Sequence, residues 1–211
     1  MLFKIAFLRD EWKTAHAQLG IPVSMDEFRF VISKYRGKGR YYHAVNHLVY
    51  GLRVINTLLK AEPFPFREIA LLKMAFFYHD LIYDVTKKDN EEQSANCALV
   101  YLSHQVPEAP RIYDLIMATA NHQGATLTDP LWPFMNDADL AVLGAPPKIY
   151  QRYARNVRLE YKAVPEDAFR AGRSKFLREF AAKPIFKTAV MLALEQPARK
   201  NLLDEAAALG G

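Results

Sequence analysis

The chain has 211 residues, 51% of them hydrophobic and 24% charged, with a net charge of +5. That is enough chain to bury one core, and the composition is that of an ordinary globular protein. The single cysteine, Cys97, excludes an internal disulfide and a cysteine-built zinc site and fits a reducing, cytoplasmic setting.

The opening MLFKIAFLRDEW reaches Arg9, Asp10 and Glu11 too soon for a signal peptide. No apolar run approaches the roughly 18 residues of a membrane span, so no membrane partner is expected. The modest positive charge suits an anionic small molecule as well as nucleic acid. Lysines and arginines are spread along the chain without a basic-aromatic motif, which argues against nucleic acid.

In chain order, residues 1–23 read as a short helix broken at Gly20-Ile21-Pro22. Ser24 and Glu27 match a capping box that opens a helix running to about Tyr35. Arg36-Gly-Lys-Gly-Arg40 is a basic, glycine-broken loop, either an anion nest or a solvated connection. Tyr41 to Lys60 has an apolar stripe at Leu48, Leu52, Ile55 and Leu59, with His43 and His47 four apart on one side of the predicted helix. Pro63 and Pro65 end it, and Phe66 to Tyr83 is the next helix. The short connection predicts an antiparallel pair. The start of the first helix, with His43 and His47, should therefore meet the end of the second, with His79 and Asp80.

Asp89 or Asn90 can cap a helix from Glu91 to about His104, and Arg111 to His122 is helical with His122 at its end. Gly124 to Pro133 reads as a loop. Asn136 to Gly144 reads as a short apolar helix with Asp137 and Asp139 in its first turn. Pro146 to about Lys162 and Pro165 to about Ala182 are long helices opened by proline, followed by helices over Pro184 to Leu194 and Pro197 to Leu209. No strand-like alternation stands out, so the expectation is one all-α domain, a single helical bundle.

The chemistry concentrates in AFFYHDLIYD, residues 75–84, where an apolar run leads to His79-Asp80. A buried carboxylate needs a partner or a metal. His47, His79, Asp80 and a late acid, Asp137 or Asp139, can supply nitrogen and oxygen ligands to a divalent ion. Mn, Fe, Zn, Co or Ni suits such a set, and Mg a more carboxylate-rich one. Asp84 reads as a supporting or helix-terminal acid, and Glu91 and Glu92 as exposed first-turn acids or a water-positioning group. His16 and His104 have no such company and read as ordinary surface residues.

His47 … His79-Asp80 … Asp139 resembles the HD superfamily of metal-dependent phosphohydrolases. The segments RYYHAVNHL, FYHDLIYD, DNEEQSA, TANHQ, NDADLAVLG, RLEYKAV, AGRSKFL and ARKNLLDE extend the likeness to a bacterial subfamily of predicted HD-type phosphohydrolases. The resemblance implies an HD-type domain whose metal-site core spans about 40–145, with the helices of 146–211 packed on it. It implies His47, His79, Asp80 and Asp139 as metal ligands, with Asp139 preferred because the ligand sits in an Ala-Asp pair. Asp80 also counts as catalytic. YHAVNH is similar to the YHxxxH segment of cyclic-nucleotide phosphodiesterases, which makes His43 the candidate general acid. The aspartate those enzymes carry soon after is replaced here by Val49-Tyr50-Gly51.

His122 is open to three roles: a second metal, a hydrogen bond to phosphate, or a structural imidazole. Arg40, Arg158 and Arg173 are the candidate phosphate contacts, because a guanidinium grips phosphate through two bonds. Arg152 and Arg155 read as a solvated helix face. The implied activity is hydrolysis of a nucleotide or other small phosphate ester by metal-activated water. The alternative is a metal-bearing regulatory or ligand-binding module without efficient turnover. A homodimer is compatible with either.

Overall fold

The computed structural model describes residues 2–210. Among them there are ten α-helices and no strands. The first six are α1 (Leu2–Leu19), α2 (Met25–Lys34), α3 (Val45–Ala61), α4 (Phe66–Tyr78), α5 (Asn90–Leu102) and α6 (Ala109–Ala118). The last four are α7 (Trp132–Leu140), α8 (Pro147–Glu160), α9 (Glu166–Ala181) and α10 (Glu195–Gly210). None is long and apolar enough to cross a membrane.

Helix α4 is the axis of the fold. Every residue from Ala70 to Tyr78 is buried, and α1, α3, α5, α6 and α7 all pack on it. A helix apolar all round belongs inside. Its one buried cation, Lys73, is answered by Glu11 of α1 at 2.6 Å. Helices α9 and α10 pair with each other, and α8 and α10 reach the rest through the 3-10 turn Ala141–Gly144.

The close approach of α3 to α4 depends on Gly51, because a Cβ there would overlap the Phe76 ring. Alanine at position 51 gains helix propensity worth up to about 1 kcal/mol. Overpacking costs about 1–3 kcal/mol and wins. Gly51→Ala is therefore expected to lower the denaturant midpoint with an unchanged slope, as urea titration will show.

Several expectations match. Gly20 breaks the chain after α1 in the left-handed region, φ 73°. Ser24 Oγ accepts from the Glu27 amide at 3.1 Å. Glu27 does not complete the capping box; its carboxylate accepts from the Tyr78 hydroxyl at 2.7 Å instead.

Other boundaries move, and buried carboxylates explain two of the moves. The helix expected from Tyr41 begins at Val45, because Glu160 Oε1 collects the amides of Tyr41, Tyr42 and His43 at 2.7, 2.7 and 2.9 Å. His43 thus sits in a turn ahead of α3, not one helical turn below His47. The helix expected over Pro184 to Leu194 shrinks to a 3-10 turn, Met191–Leu194. There Glu195 takes the amides of Ile185 and Phe186, and Asp137 those of Lys187 and Thr188. Helix α4 stops at Tyr78 rather than Tyr83, which turns the His79-Asp80 pair out of the helix. Helix α7 starts earlier than expected, with Pro133 tolerated in its first turn. Asp137 and Asp139 consequently fall near its end and not in an N-terminal turn.

Candidate metal centre

Three parts of the fold deliver the cluster. His47 lies in the first turn of α3, His79 and Asp80 directly follow α4, and Asp139 lies in the last turn of α7. The antiparallel meeting of α3 and α4 brings His47 Nε2 to 2.9 Å from His79 Nε2. Asp80 Oδ2 lies 3.1 Å from His79 Nε2 and 3.5 Å from His47 Nε2. Asp139 Oδ1 lies 3.2 Å from His47 Nε2 and 3.4 Å from His79 Nε2. Both imidazoles are buried and both carboxylates are partly exposed.

These separations suit a shared cation. With bonds of about 2.1 Å, neighbouring ligand atoms of one divalent ion stand roughly 3.0–3.4 Å apart. His79 Nδ1 donates to the Phe76 carbonyl at 2.8 Å, which leaves Nε2 as the lone-pair nitrogen facing the cluster. Two bare imidazole nitrogens at 2.9 Å repel unless a proton or a cation lies between them. Residues His47, His79, Asp80 and Asp139 could therefore hold a metal ion. In the ion's absence, burial opposes charging His79, but Asp80 and Asp139 outweigh it and hold the imidazole pKa well above its usual value. Burial likewise works against the two carboxylates. His79 chief among the imidazoles overrides it and keeps both below the normal aspartate range. His47 Nδ1 finds no partner among the described residues.

Asp137 is not part of the centre. Its fully buried carboxylate accepts from Asn136 Nδ2, the amides of Lys187 and Thr188, and Thr188 Oγ1, at 2.6–2.8 Å. Asp84 lies outside as well, exposed in a turn where its carboxylate accepts from the Thr86 amide and hydroxyl.

No family model, curated protein or solved structure matches this chain. The site therefore speaks through its own geometry.

Around the cluster, His122 Nε2 lies 3.0 Å from Asp139 Oδ2, and its Nδ1 faces Asn136 Oδ1 at 3.1 Å. Asn136 is buried and fixed by Asp137 and the Ile185 carbonyl, so His122 links the centre to a rigid buried network. His43 lies across a cavity of about 200 Å³ that opens on Asp80, Asp139, His122 and Glu91. Its Nδ1 donates to Glu160 Oε2 at 2.7 Å, and its ring stacks on Tyr83 at 4.2 Å. Burial alone would depress the His43 pKa; Asp80 and then Glu160 overcome it and raise the pKa above normal. Glu160 shifts the opposite way, since His43 and the three amides outweigh its burial. Exposed Glu92 does not line this cavity.

The three candidate phosphate arginines are occupied inside the protein. Arg40 donates to the carbonyls of His43, Asp80 and Leu81 at 2.6–3.1 Å, clamping the chain on both sides of the centre. Arg158 bonds Glu166 and the carbonyls of Tyr161 and Val164. Arg173 pairs with Glu205 at 2.9 Å and reaches Tyr153 Oη. Of the three, Arg173 faces a second cavity that adjoins the first through His43, Tyr83, Tyr153 and Phe176.

Sequence reasoning missed Glu160, Tyr83 and Asn136. It also misplaced His16, which is fully buried between the Trp12 carbonyl at 2.8 Å and the Tyr101 hydroxyl at 3.0 Å. The signal was present: Leu8, Trp12, His16 and Leu19 share a helical stripe. His104 is exposed, as expected.

Proposed function

We propose that this chain is a metal-dependent phosphohydrolase of the HD type, acting on a nucleotide or other small phosphate ester. The observation that carries the reading is that the two acids of a four-residue His/Asp cluster share a cavity with His43, which Glu160 holds from behind. Structural ion pairs do not need the second element; phosphoryl transfer to water needs both a charge-stabilising centre and a proton donor.

His47, His79, Asp80 and Asp139 would hold the ion, one of Mn, Fe, Co, Ni, Zn or Mg. When bound, such an ion supplies Lewis acidity and lowers the pKa of water at neutral pH. The chain's own residues do the rest. The His79–Phe76 hydrogen bond fixes the ring that faces the ion. Asp139 is steadied through its outer oxygen by His122. Glu160 fixes the Nδ1–H tautomer of His43, and Asp80 together with Glu160 holds its proton to higher pH than a free imidazole would keep it. That makes His43 the donor to the leaving oxygen.

The test is a panel of phosphate monoesters and diesters, offered to protein stripped by chelator and reloaded with each ion in turn. Phosphate release is expected only with the ion. His43→Ala is expected to lose about 10²-fold or more in turnover, with metal content unchanged. A protein that retains its ion yet turns over no ester would favour the metal-bearing binding module instead.

A further inference from the structure

The arginines expected to meet phosphate are spent within the fold, and the unpaired ones lie elsewhere. A third cavity, of about 310 Å³, runs between α3 and α8, on the flank of the centre where His47 forms part of the wall. That is room for about ten waters at liquid density. From α3 it receives Asn46, Tyr50 and Arg53, and from α8 Arg152, Tyr153 and Asn156. Asn46, Tyr50 and Arg53, at spacings of four and three, share one face of α3, and Arg152 and Asn156, four apart, share one face of α8. Lys4 of α1 adds a third cation, and no carboxylate lines the cavity.

Arg152 makes no ion pair or hydrogen bond among the described residues. Arg53 makes, among the described residues, only a cation–π contact with Phe7 at 5.3 Å. Lys4 Nζ donates to Asn46 Oδ1 at 2.6 Å, which occupies the one acceptor of that amide and leaves its N–H donors. Three unneutralised cations around one concave space repel one another until an anion enters. Guanidiniums that already hold a carboxylate, as Arg173 does, have little left to offer a second anion. Arg53 and Arg152 have all their donors available.

We propose that this cavity is an anion site, separate from the metal centre, that binds a diphosphate or longer polyphosphate group. One phosphate would be gripped by Arg53 and the next by Arg152, with Lys4 and the Asn46 and Asn156 amides completing the donors. It stands apart from the hydrolase reading, because the cavity contains no metal-facing carboxylate and should work in stripped protein.

The probe is inorganic pyrophosphate, measured by calorimetry against the full chain after removal of divalent ions and chelator. Saturable binding at one site is expected at low salt, weakening as ionic strength rises. Arg53→Gln/Arg152→Gln is expected to weaken it at least tenfold. Both residues are exposed, so the double variant should unfold at the wild-type temperature. Arg155→Gln/Arg178→Gln removes the same charge from exposed positions off the cavity and should leave affinity within twofold. Absence of saturable binding would overturn the proposal. So would equal weakening by the two double variants, which would mean net charge alone attracts the anion.

Discussion

Replacing Glu160 by glutamine is expected to destabilise the fold by about 3 kcal/mol, among the largest effects of any single substitution in the chain. Glu160 is buried, and its two oxygens serve three consecutive backbone amides, His43 Nδ1 and the Tyr83 hydroxyl. Hydrogen bonds to a charged group are worth about 1.5–3 kcal/mol each, and glutamine keeps one acceptor while turning an NH₂ toward groups that themselves donate. For a chain of this size about 3 kcal/mol corresponds to roughly 6–12 °C in Tm.

The loss should also depend on pH. The folded pKa of Glu160 is depressed, so its contribution is full above the ordinary value of 4.5 and fades as pH falls through the folded one. The folded pKa of His43 is raised, so its contribution is full below 6.5 and fades as pH rises through the folded one. Thermal unfolding of wild type and Glu160→Gln should therefore differ most between pH 4.5 and 6.5, differ less above that range as the His43 share fades, and converge as pH falls through the folded pKa of Glu160. In turnover, the alkaline limb assigned to His43 should move to lower pH in the variant.

The second large effect separates two acids two residues apart. Asp137 and Asp139 share helix α7, yet one is a structural anchor and the other faces the cluster. Asp137→Ala removes the acceptor for two amides, a hydroxyl and the Asn136 side chain, all in a buried place. Leaving a buried donor unanswered costs about 1–3 kcal/mol, several are left so here, and the Pro184–Val190 segment should lose protection from hydrogen exchange first. Asp139→Ala should leave the Asp137 network and that segment intact, because among the described residues its carboxylate is held only by His47, His79 and His122. Equal loss of protection in the two variants would count against this division of labour.

The ligand candidates were legible because they ride on strong local patterns. The apolar run into His79-Asp80 and the stripe of α3 fix two helix ends, and the short Pro63–Pro65 connection makes those ends meet. What escaped is long-range. Glu160 is 117 residues from His43 in sequence, and one glutamate at a helix end carries no pattern of its own. The same carboxylate overrides the helical periodicity at Tyr41 by offering the amides a better partner than the next turn. Sequence also cannot tell a paired cation from a free one. Arg40, Arg158 and Arg173 look as available as Arg53 and Arg152 until their partners in space are known.

A single cation shared by His47, His79, Asp80 and Asp139 is the premise of the proposed hydrolysis. Elemental analysis of the full chain, purified after reloading with divalent ions and then freed of excess, measures this directly. At least one equivalent per chain is predicted for the wild type, and close to none for Asp139→Ala with its helical content retained. A wild type that holds no ion, or an Asp139→Ala variant that holds the full amount, would contradict it.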